Sequence, residues 1–256
     1  MDGAKLGAKR NKQNAQAQAK EQAMKKAAEA GSSSNITNEL TFQQIFGIET
    51  IRKDWSSGVR QIIGIVMDQG LRDICWAICF ARLVQALYNM EHPNDPNEFS
   101  INDLIGYIKP NEAKGLGLAN LKKAFKHIKV TGMLKMSTKG HEKAGDKGKR
   151  VKETFDLYED VDASYIRQKL DRFPVALRLQ IDVPLSDNSG QIYYLPKKKI
   201  ITEDSRMHCL LLIGYGITRD GKLYFSGQNS WGVNWGCKGY IRIIIEEKCD
   251  IICRKE

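Results

Sequence analysis

The chain has 256 residues, 42% of them hydrophobic and 27% charged, with a formal charge of +10. That is enough apolar material for one large domain or two lobes sharing a cleft, and no apolar run approaches the roughly 18 residues that a membrane helix needs. The six cysteines form no CxxC pair, which argues against a zinc ribbon or a thioredoxin-type motif.

Residues 1–38 are rich in Ala, Lys, Gln, Gly and Ser, and read as a solvated basic tail. The alternatives for this tail are a nucleic-acid arm or an organelle-targeting peptide, and its composition favours neither. Met1 to Lys5 begin no apolar run of the secretory type. Reduced thiols and a cytoplasmic or nuclear location are therefore expected.

Residues 59–66 are extended and β-branched. They feed the polar turn Asp68-Gln69-Gly70-Leu71-Arg72-Asp73. From Trp76 to Met90 the apolar residues recur at three- and four-residue steps, predicting a helix with a wide buried face. Cys75 then falls in the first turn of that helix. The positive end of the helix dipole favours a thiolate there. The plainer reading of Cys75 is a small buried hydrophobe. Gln69, six residues earlier, is placed to donate its amide to a developing oxyanion.

A loop at residues 92–97 leads to a second helix with Ser100 as its N-cap and Asp103 at the third position, a pattern resembling a capping box. Pro110 is expected to end this helix. Gly115 and Gly117 mark a loop, and residues 118–128 read as a third helix. Residues 137–153 form a Lys- and Gly-rich loop, with His141 at the surface. Residues 163–170 are helical and residues 174–181 alternate as a strand. Further strands are expected at 208–217, 223–229 and 240–246, with a hairpin turn at Thr218-Arg219-Asp220-Gly221. Helices followed by an antiparallel sheet make an α+β chain.

Three pieces of this chain carry chemistry. Cys75 lies at a helix start, His208 starts a strand, and Asn229 ends the next one. Adjacent antiparallel strands can bring His208 and Asn229 side by side. A histidine beside a helix-start cysteine makes a thiolate–imidazolium pair, and a neutral amide can fix the ring without adding charge. Trp231 is placed to shield that contact from water.

At these residues the sequence resembles the papain-like cysteine proteases. The resemblance rests on Gln69-Gly70-x4-Cys75-Trp76-Ala77, on His208-Cys209-x3-Ile213-Gly214-Tyr215-Gly216, and on Asn229-Ser230-Trp231-Gly232-x2-Trp235-Gly236. His208 and Asn229 follow Cys75 by 133 and 154 residues, matching the family's known separation of about 130–150 residues. Asp54-Trp55 resembles the start of a mature enzyme.

The resemblance covers about residues 48–256. It implies a two-lobed papain-like fold, with a helical lobe at about 55–160, an antiparallel β-barrel-like lobe at about 161–256, and a cleft between them. It implies a monomeric cysteine endopeptidase acting on peptides or proteins through an acyl-enzyme on Cys75. His208 would be base and acid, Asn229 the orienter, and Gln69 with the Cys75 N–H the oxyanion hole. Gly115, Gly117, Met207 and Trp231 would border the substrate cleft. No metal or organic cofactor and no membrane are implied. The alternative is a catalytically silent papain-like protein that binds a peptide or protein.

Departures from the family pattern are Arg72 in place of a cysteine, Ile74 in place of a small residue, and Tyr107 where a further cysteine is usual. The family's disulfide pattern is therefore not expected, although Cys249 matches one half of a bridge. Residues 1–47 also lack the family's propeptide pattern.

Overall fold

The computed structural model describes residues 51–57, 62–110, 121–136, 146–198, 200 and 205–256. The basic tail, Gly115, Gly117, His141 and residues 137–145 lie outside the described residues.

The first strand is β1 (Ile51–Asp54), and the next named element among the described residues is the long helix α1 (Cys75–Glu91). Every residue of α1 from Cys75 to Asn89 is buried. A helix apolar on nearly every side can only sit inside the protein. Its apolar side chains, each worth about 1.5–3 kcal/mol when fully buried, anchor the core. Phe80 meets Phe125 edge to face at 5.5 Å.

Helix α2 (Ile101–Ile108) begins as expected, with Ser100 Oγ accepting the Asp103 N–H at 3.1 Å. Asp103 does not close a reciprocal cap. Its carboxylate, fully buried, takes both arms of the Arg150 guanidinium at 2.7 and 2.8 Å. The helix ends before Pro110, with Lys109 in the left-handed region. Helix α3 (Lys122–Val130) buries Ala124 and Ile128, and residues 118–120 of the expected helix lie outside the described residues. A two-stranded ladder of β2 (Met133–Leu134) and β3 (Arg150–Val151) follows.

The remaining strands are β4 (Phe155–Val161), β5 (Val175–Gln180), β6 (Ile192–Tyr194), β7 (Met207–Ile217), β8 (Leu223–Gln228), β9 (Tyr240–Ile244) and β10 (Cys249–Arg254). Between them lie α4 (Ala163–Leu170) and the short α5 (Val183–Ser186). Eight strands form one sheet in the order β4-β10-β5-β7-β8-β9-β6, with β1 also paired to β7. All pairs are antiparallel except β6 with β9. β1 approaches β7 closely because Gly214 has no side chain. A Cβ there would lie 2.2 Å from the Lys53 carbonyl oxygen.

β1, β4, β6 and β10 were not expected from the sequence pattern. β10 is buried over five successive residues, so it shows no alternation. β4 carries Asp156, Glu159 and Asp160, and a register shift in its pairing to β10 breaks its period. Helix α1 packs against β7.

Candidate active site

Cys75 is the first residue of α1, after Ile74, which provides no side-chain cap. The turn before it is stitched to the segment after β8. Gln69 N–H donates to Ser230 O at 2.9 Å, Gly232 N–H donates to Met67 O at 3.1 Å, and Asp68 bridges Trp231. Gly70 supplies the left-handed conformation (φ 57°) that closes the turn. The Gln69 side chain is buried and held at both ends. Its Oε1 accepts from Ser230 Oγ at 2.7 Å, and its Nε2 donates to Arg72 O at 2.7 Å. A primary amide has two N–H groups, so this bond uses one and leaves the other.

His208 is the second residue of β7 and is 1% exposed. Asn229, which directly follows β8, is 3% exposed. The β7–β8 ladder pairs Leu211 with Gln228 and carries the two side chains together, with His208 Nε2 to Asn229 Oδ1 at 2.6 Å. A carbonyl oxygen only accepts, so Nε2 carries the hydrogen of this bond. Asn229 Oδ1 also accepts the Ser230 N–H at 2.8 Å, which fixes the amide's orientation. The Trp231 ring lies over the imidazole at 4.6 Å between centroids, and Trp235 meets Trp231 edge to face at 5.2 Å. The contact expected between His208, Asn229 and Trp231 is therefore present, with His208 and Asn229 buried and Trp231 half-buried over the ring.

Cys75 belongs to the same neighbourhood. Burial pushes up the pKa of Cys209, the residue after His208, and electrostatic coupling to the nearby Cys75 thiol pushes it further. Burial likewise raises Cys79, one helical turn after Cys75, and Cys209 and Cys75 add to the effect. Cys79 and Cys209 thus stay protonated thiols. Met207 is half-buried opposite Gln180, at the start of β7.

Two contributors were not read from the sequence. Ser230 holds the Gln69 amide. Arg82, buried in α1, donates through Nη2 to Ile65 O at 2.7 Å and also reaches Gln85. Burial lowers its pKa, and Glu98 opposes that shift. Together with Gln228, whose Nε2 donates to Gly64 O at 2.8 Å, Arg82 braces the segment that leads into the Gln69 turn. The signal available was a cation at a core position of an otherwise apolar helix. Among the described residues no group of three His, Cys, Asp or Glu side chains is arranged to hold a metal.

The sequence profile described as "Papain family cysteine protease" matches residues 51–254. The chain is 28% identical over 184 residues to vignain of Phaseolus vulgaris, covering 70% of this chain and 50% of that protein. It is 30% identical over 194 residues to the viral cathepsin of Adoxophyes honmai nucleopolyhedrovirus, covering 74% and 56%. It thus spans about half the length of these curated relatives. Among solved structures, the bromelain protease of Ananas comosus in complex with the E64 inhibitor superposes with a TM-score of 0.64 at 18% identity, over 81% of this chain and 98% of that one. A cysteine protease of Carica candamarcensis, also with E-64, gives 0.64 at 19% over 81% and 98%. The fold is thus papain-like α+β, and with a family profile running from β1 to β10 across the Cys75, His208 and Asn229 segments, the chain belongs to the papain family of cysteine proteases.

Proposed function

We propose that this chain is a cysteine endopeptidase that hydrolyses peptide bonds through a covalent intermediate on Cys75. The observation that carries the reading is the buried 2.6 Å bond from His208 Nε2 to Asn229 Oδ1. It ties down one ring nitrogen and leaves Nδ1 to exchange a proton with a sulfur. In this reading the Cys75 thiolate attacks the substrate carbonyl carbon while His208 holds the proton. The new oxyanion takes hydrogen bonds from the remaining Gln69 amide N–H and from the Cys75 backbone N–H. His208 then gives its proton to the leaving amine, and an acyl-enzyme remains. Water, deprotonated by the same nitrogen, attacks the thioester and frees the acid and the thiol. Asn229 keeps the ring in the plane that both proton transfers need, and Trp231 keeps water from competing for that bond.

The substrate class is peptide or protein. The inhibitor complexes of the bromelain and Carica enzymes support this. The six free cysteines suit a reducing compartment, consistent with a cytoplasmic or nuclear setting. Among the described residues no helix is long and apolar enough to cross a membrane.

The test is labelling with an epoxide of the E64 type, followed by peptide mass mapping. A single adduct on Cys75, lost in His208→Ala, is expected. Equal labelling of all six thiols would instead leave a peptide-binding protein without catalysis.

A further inference from the structure

Arg82 is a buried cation that the proposed chemistry does not use. It sits in α1, seven residues after Cys75, and is 5% exposed. Its guanidinium is spent on α1 itself and on one stretch of main chain. Nη2 donates to Ile65 O at 2.7 Å, while Nη1 donates to Gln85 Oε1 and reaches the exposed Glu98 at 3.5 Å. Gly64 comes up against the same group. A Cβ there would stand 1.9 Å from Arg82 Nη1, so this position has no room for a side chain.

The same stretch is also held by the segment that carries Asn229. Gln228 Nε2 donates to Gly64 O at 2.8 Å. Val66 packs on Gly239, where a Cβ would stand 2.4 Å from Val66 Cγ1, and Gly239 O accepts the Asn229 N–H at 2.9 Å. Met67 O and the Gln69 N–H are bonded to Gly232 and Ser230. Residues 64–69 thus join two segments: α1, which begins at Cys75, and residues 228–232, which include Asn229. A buried cation is a poor way to gain stability, because desolvation opposes it and an apolar side chain of similar volume is often neutral or better. What a guanidinium supplies is geometry, a planar fork that reaches two partners at fixed angles.

We infer that Arg82 is a positioning residue for the reaction: by clamping Gly64-Ile65 to α1, it sets the spacing between Cys75 and the His208–Asn229 pair and the placement of the Gln69 turn. The inference rests on the cysteine-peptidase reading of the same site. A misplacement of about 1 Å in a catalytic constellation costs about 10²-fold in rate. Arg82 is buried in the core helix and does not meet the substrate, so its loss falls on kcat and not on KM. Gln228 holds the same stretch from the Asn229 side, so the two residues act through one element.

The test compares the full chain with R82M, R82K, Q228A, the R82M/Q228A double variant and I128A. Ile128 is buried in α3, and its truncation serves as the stability control. kcat and KM are measured on a neutral peptide well below each variant's unfolding midpoint, and the rate of Cys75 alkylation by iodoacetamide is followed against pH. R82M is expected to lose about 10- to 100-fold in kcat with KM within about twofold of wild type. Its alkylation below neutral pH falls towards that of an ordinary thiol, because the thiolate–imidazolium pair is no longer held together. R82K keeps the charge without the fork and loses several-fold as well. Q228A loses a similar factor, and the double variant loses little more than the worse single one. I128A keeps the wild-type kcat. An R82M kcat within about twofold of wild type, a loss confined to KM, an R82K that matches wild type, or the same kcat loss in I128A overturns the inference. If the wild type neither cuts peptides nor takes an epoxide on Cys75, the peptidase reading fails and amide hydrogen exchange decides the clamp. Faster exchange in R82M at both 64–70 and 228–232 upholds it, and unchanged exchange overturns it.

Discussion

At the scale of single residues, the site depends on how two neutral amides divide their hydrogen-bonding groups. Asn229 spends its oxygen on His208 and on the Ser230 N–H. Gln69 spends its oxygen on Ser230 and one N–H on Arg72. The second Gln69 N–H is the proposed oxyanion donor. Removing one such donor in a preorganised site costs about 10²–10³ in kcat. Gln69→Ala is therefore expected to lower kcat by about that factor with KM little changed, because the interaction strengthens only as the oxyanion forms. Steady-state kinetics on a neutral peptide check this. An unchanged kcat, or a loss entirely in KM, would assign Gln69 to substrate binding or to turn structure alone. Gln69 was legible from its place before Cys75. Its two restraints were not, because Ser230 lies 161 residues away.

At the scale of elements, β10 gives a pH signature. Burial pushes Cys249 and Cys253 up to about 12. Unfolded thiols titrate near 8.5. The folded values are the higher ones, so the folded chain holds these protons more tightly. Below about pH 8.5 both states are protonated and the stability of β10 is fully present. Above it the unfolded chain ionises first, and stability falls until the pH passes the folded values. Urea unfolding midpoints at pH 7 and pH 10 should therefore differ less in a Cys249→Ala, Cys253→Ala variant than in the wild type. An identical drop in both would place the alkaline sensitivity elsewhere. Other elements show what local pattern reveals. Helix α1 follows from its apolar period without a polar cap, and α4 opens at a polar cap, where Asp162 accepts the Tyr165 N–H at 2.8 Å. β10 and β4 do not follow in this way, since one is buried on both faces and the other is bent by a register shift.

At the scale of the whole molecule, stability comes from the sheet, the α1 core and buried ion pairs, with all six thiols free. Arg178 and Lys198 converge on the buried Asp250 at 3.1 and 2.7 Å, joining β5 and the segment after β6 to β10. Removing a disulfide from a small domain typically costs about 2–5 kcal/mol. This chain has none to lose, so a strong reductant should leave its thermal unfolding midpoint unchanged. A marked fall measured by scanning calorimetry would reveal a bridge and contradict the free thiols.

The amino-acid sequence by itself determined the chemistry on offer: a thiol at a helix start, an imidazole and an amide flanking a hairpin, a glutamine before the thiol, and an α+β order of elements. These are local facts, carried by residue type, period and turn residues over a few positions. Only the tertiary structure decided that Nε2 rather than Nδ1 faces Asn229, that Ser230 and Arg72 hold Gln69, and that strands near both ends of the described chain enter one sheet. Those outcomes depend on which distant segments α1 and β7 bring into contact, and short-range propensity carries no record of that choice.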